Sequence, residues 1–78
     1  MARYFFDVYD GEHIPDVEGT DLPDLAAVKA EAIASAGAML RDLDGHLDTE
    51  WRMEVTDNAG RSVLSLRFSA VEHIPISN

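Results

Sequence analysis

A chain of 78 residues with 15 acidic and six basic side chains, three histidines and no cysteine carries a formal net charge of -9. That length allows one domain, which buries only about 60 % of the surface of its unfolded form, and the lack of cysteine excludes a disulfide framework, thiolate zinc sites and thiol catalysis. The acids crowd early: Asp7, Asp10, Glu12, Asp16, Glu18, Asp21 and Asp24 stand between Arg3 and Lys29 with no base among them, which repels phosphate and anionic lipid and sets nucleic acid and membrane surfaces aside as partners.

The opening residues hold one Arg and meet Asp7 after a short apolar stretch, unlike a signal peptide, and no apolar run approaches the ~20 residues of a membrane span. The expected location is cytoplasmic. Residues 3–9 alternate as a strand, with Tyr4, Phe6 and Val8 on one face and Phe5, Asp7 and Tyr9 on the other. Asp10-Gly11 is a strong two-residue hairpin signal. The return segment, roughly 12–17, contains Pro15 and is mostly acidic, which suits a short edge strand.

Leu25, Val28, Ala32, Ala36, Met39 and Leu43 recur at spacings of three and four, with Ile33 and Leu40 widening the stripe, and predict a helix from Leu25 to about Leu43. Asp24, after Pro23, is its expected N-cap. Lys29 lies inside the apolar arc and is read as a snorkelling side chain near the first turn. Beyond Asp42-Leu43-Asp44-Gly45, Trp51, Met53 and Val55 alternate against Arg52, Glu54 and Thr56. After Asp57-Asn58-Ala59-Gly60, Leu64, Leu66 and Phe68 alternate against Val63, Ser65 and Arg67, and the two runs form a second hairpin.

These elements predict an α+β fold, β-β-α-β-β, with a four-stranded antiparallel sheet in the order 2-1-3-4 and one helix on a single face. Residues 1–69 form the domain and 70–78 a tail, in which Val71, Ile74 and Ile76 are apolar enough to pack on the sheet or on a partner.

Chemistry-bearing patterns are weak. Asp42 to Asp48 has the look of a calcium loop, but Leu47 falls where the turn glycine belongs and Met53 where the bidentate Glu belongs. His13, His46 and His73 show no metal-ligand spacing. Glu12-His13-Ile14-Pro15 and Glu72-His73-Ile74-Pro75 echo each other, yet nothing local holds the two segments together. No serine sits in a nucleophile elbow, no glycine-rich phosphate loop exists, and a thin sheet under one helix offers little concavity for general acid–base work. No catalytic residue, cofactor or metal is assigned, and the chain is read as a non-enzyme.

Arg3-Tyr4-Phe5-Phe6 with Val8, Asp10 and Gly11, Leu22-Pro23-Asp24-Leu25 running into Ala27, Glu31 and Ala32, and then Trp51, Met53, Val55, Asp57, Gly60 and Phe68 together resemble a family of short bacterial proteins defined only as a domain of unknown function. The resemblance extends over nearly everything up to Phe68. It implies a shared fold and carries no activity, cofactor or functional residue with it.

The face opposite the helix holds Phe5, Asp7, Tyr9, Arg52, Glu54 and Arg67. Rings and arginines within a polar rim have the composition of an interaction surface, against the plainer reading of a solvated face with cross-strand ion pairs. The expectation is a non-catalytic interaction module that forms a homodimer or binds another protein through this face. The alternative is a small-ligand or cation-binding protein that uses the acidic edge and the histidines.

Overall fold

The computed structural model describes residues 1–73. Its strands are β1 (Ala2–Tyr9), β2 (His13–Ile14), β3 (Thr20–Leu22), β4 (Asp48–Thr56) and β5 (Ser62–Val71), and its helix is α1 (Leu25–Arg41). The sheet is antiparallel throughout, in the order β2-β1-β4-β5, with β3 also paired to β1. The α+β class and the order of the four expected strands agree with the sequence pattern. The additional strand β3 does not announce itself, because three residues, two of them exposed and polar, are too few to alternate.

β2 and β3 share one flank of β1, β2 beside Val8 and Tyr9 and β3 beside Ala2, Arg3 and Tyr4. Between them residues 15–19 leave the ladder. Pro15 ends β2 after two residues, where a return strand over 12–17 is expected, because its nitrogen cannot donate to a ladder. Asp16 replaces the missing strand with a side chain: its carboxylate accepts from the Phe6 amide at 3.0 Å, and its own amide donates to Asp7 at 3.0 Å. The β1–β2 turn also differs from the Asp10-Gly11 expectation. Tyr9 pairs with His13, so three residues form the turn, with Gly11 at φ +100 and the Glu12 amide donating to Asp10.

α1 begins where expected, with Asp24 accepting from the Ala27 amide at 2.9 Å. Val28, Ala32 and Ala36 are its buried residues, and Val28 and Ala32 join Val8, Met53 and Val55 in the core. Tyr4, Phe6, Leu22, Met39, Leu64, Leu66 and Phe68 pack around that cluster. The helical stripe is narrower than its spacing predicts, since Leu25 is 45 % exposed and Ile33 64 % exposed. Val28, Ala32 and Ala36, with Met39 beside them, seat the helix on this sheet. Lys29 is exposed, in keeping with a solvated amine.

Val63 departs from the expected alternation. A register irregularity opposite Val55 and Thr56 makes Val63 the extra residue of a bulge, and it packs against the core rather than on the open face. β5 continues through Val71, two residues beyond the expected boundary at 69, with Ala70 and Val71 paired to Thr49 and Asp48. Ile74 and Ile76 of the expected tail lie outside the described residues.

Candidate functional site

On the helix-free face the register aligns like charges. Tyr9 stands opposite Arg52 and Arg52 opposite Arg67, while in the adjacent row Asp7 stands opposite Glu54 and Glu54 opposite Ser65. Like charges directly opposite each other destabilise a sheet unless something offsets them. The acidic row is offset: His13 Nε2 lies 2.8 Å from Asp7, Arg52 Nε lies 3.3 Å from Glu54, and the Ser65 hydroxyl donates to Glu54. The basic row is offset only in part. Arg67 forms no ion pair among the described residues.

Rings cover the rest of that row. His13 stacks on Tyr9 with centroids 4.4 Å apart and planes 6° from parallel. The Arg52 guanidinium lies 4.3 Å from the centre of the Tyr9 ring, a cation–π contact. Across the sheet the order is therefore His13, Tyr9, Arg52, Arg67. Beside it opens a shallow depression of about 290 Å³ lined by Tyr9, Glu50, Trp51, Arg52 and Arg67. β4 and β5 form this end of the sheet alone, because β1 pairs with β4 only from Arg52 onward.

Phe5, the other ring expected on this face, is half-buried and covers the backbone of residue 19. A Cβ on Gly19 would lie 2.9 Å from Phe5 Cε1 and 2.8 Å from Arg3 Cγ, and Gly19 has φ +74. The Arg3 guanidinium donates to the Glu18 carbonyl and pairs with Asp21 at 3.2 Å. Phe5 and Arg3 thus fasten the loop of residues 15–19 from above. Within that loop Asp16 is partly buried, which by itself raises its pKa; the amides of Gly19, Phe6 and Glu18 and the nearby charge of Arg3 outweigh that and hold the carboxyl below the ordinary value.

Of the six residues expected at an interface, the structure assembles Tyr9, Arg52 and Arg67 into one cationic and aromatic row, pairs Glu54 with Arg52 and Asp7 with His13, and assigns Phe5 to the loop. His13 and Glu50 complete the site; Trp51 borders the depression, but its ring meets Phe68 edge-on on the helix side. The signal for His13 was its separation of four from Tyr9, which becomes a cross-strand pair once the turn is three residues long. The two histidine echoes lie at opposite flanks of the sheet, His13 on β2 and His73 after β5, and Ile74 and Pro75 are outside the described residues. His46 Nδ1 lies 4.0 Å from Glu72. Among the described residues no three of His, Asp and Glu gather where a metal ion could be held.

The fold and its open face define a small α+β domain with a charged, partly aromatic sheet surface. The chain belongs to the family described as the domain of unknown function DUF6894, whose model matches residues 3–69. No curated protein and no solved structure matches it. No helix among the described residues is long and apolar enough to cross a membrane.

Proposed function

We propose that this domain is a non-catalytic interaction module whose helix-free face receives another protein, with His13, Tyr9, Arg52 and Arg67 as the centre of contact. The observation that carries this reading is the pair Arg52 and Arg67, set opposite each other in a chain of net charge -9, with no ion pair for Arg67 among the described residues. A carboxylate seated between two guanidiniums removes the repulsion and forms charge-assisted hydrogen bonds to both. The adjoining depression has room for one such side chain, and stacked rings with arginine are the residue types that carry binding energy. The overall negative charge limits the partner. A strongly acidic surface is repelled at long range, so the partner is a neutral or basic surface presenting one carboxylate.

The alternative of a small-ligand or cation-binding protein has less behind it. His13 and His46 each face a single carboxylate. A screen of thermal stability with calcium and zinc separates the readings, since saturable stabilisation at micromolar metal supports the alternative. The direct test is capture from the native host with wild-type protein and a Tyr9→Ser, Arg67→Ser variant as baits. A partner held by the first and lost by the second is expected, and identical captures by both contradict the reading.

A further inference from the structure

β5 is bounded by β4 on one side and by nothing on the other among the described residues. From Asp57 to Glu72 the chain holds no acid between those two positions, and β5 itself has no proline and a single charge, Arg67. Beyond the bulge at Val63, an edge of this length and composition templates a further strand unless something covers it. It is also where two chains of charge -9 approach each other with least repulsion.

We propose that β5 pairs antiparallel with β5 of a second copy about a two-fold axis through Leu66, joining two sheets into one. The inference concerns an edge rather than the helix-free face but shares Arg67 with the function proposed above, and the Tyr9→Ser, Arg52→Ser variant, which alters the face and leaves Arg67 in place, separates the two. The register follows from three constraints. Paired residues in a continuous sheet share a face, so each residue of β5 beyond the bulge meets one of the same alternation. An axis through Arg67 would set Arg67 against itself. An axis through Leu66 instead pairs Leu66 with Leu66 and Leu64 with Phe68 on the helix side, where all three are half-buried at the edge of the core.

The same register pairs Arg67 with Ser65 of the second copy. Within each copy the Ser65 hydroxyl already donates to Glu54, which lies opposite it in the ladder. Arg67, which has no ion pair among the described residues, thus reaches across a small serine toward the Glu54 carboxylate of the second copy. The two-fold axis repeats this contact, so the basic row of each copy continues into the acidic row of the other.

Sedimentation velocity over a concentration series, with far-UV circular dichroism as the control for folding, tests the pairing. Ser65→Arg places a cation beside Glu54 in its own chain and Arg67→Glu places an anion beside Arg52, so both retain the fold. Each sets like charges across the proposed axis twice, and each is expected to weaken the dimer about tenfold or more. The double variant Ser65→Arg, Arg67→Glu sets opposite charges across the axis and is expected to restore wild-type association. A Tyr9→Ser, Arg52→Ser variant, altered only on the face, is expected to remain dimeric. Wild type that is monomeric at high micromolar concentration overturns the proposal. So do single variants that dimerise like wild type, a double variant that stays dissociated, or dissociation by the face variant.

Discussion

At the scale of single residues, the loop between β2 and β3 depends on two side chains and one absent one. Gly19 has positive φ and no room for a methyl group against Arg3 and Phe5. Gly19→Ala is therefore expected to cost about 2–4 kcal/mol, with a lowered denaturant midpoint. Asp16 stands in for a strand by accepting from the Phe6, Glu18 and Gly19 amides. Asp16→Ala leaves those donors without their acceptor and is expected to cost about 2–3 kcal/mol. Because its folded pKa lies below the ordinary 3.8, the stabilisation is present above that value. It is lost as pH falls through the lower folded one, so the thermal midpoint of wild type drops more steeply below about pH 4 than that of Asp16→Ala. Asp57, held low by hydrogen bonds from the Arg61 and Ala59 amides and the Arg61 guanidinium, contributes with the same sign. None of the Asp16 chemistry was legible beforehand, because an aspartate in an acidic run has no pattern that distinguishes a partly buried hydrogen-bond acceptor from a solvated charge.

At the scale of elements, β1, α1, β4 and β5 were legible because each repeats its period several times. Tyr4, Phe6 and Val8, and Met53 and Val55, fall on the helix side as alternation requires. Periodicity failed where elements were short or irregular. β3 has three residues, β2 is stopped by Pro15, and the bulge at Val63 turns one side chain to the other face. It also overstated the helix, since spacing assigned Ile33 to a stripe that the sheet is too narrow to cover. The contrast is measurable: Met53→Ala, at a fully buried position, is expected to cost about 2–5 kcal/mol, whereas Ile33→Ala is expected to change stability by less than about 0.5 kcal/mol. Similar losses for both would mean that the exposed flank of α1 is covered in solution.

At the scale of the whole molecule, acids from Asp7 to Asp24 repel one another more than Arg3 offsets. Raising salt from low to physiological concentration is expected to raise the thermal midpoint modestly, with divalent chloride no better than sodium chloride at equal ionic strength. The composition of the open face was legible as a set of residues, but its order was not. Which arginine is neutralised and which is left over depends on the register of β4 against β5, and register is a long-range property. The central claim, that the left-over arginine and its neighbours receive a protein, is tested most directly by a capture experiment matched for charge. Baits carrying Arg52→Ser, Arg67→Ser and baits carrying Lys29→Ser, Arg41→Ser each lose two positive charges, the first from the helix-free face and the second from the exposed side of α1. The account predicts that a partner captured by wild type is retained by the helix variant and lost by the sheet variant; equal retention by both would contradict it.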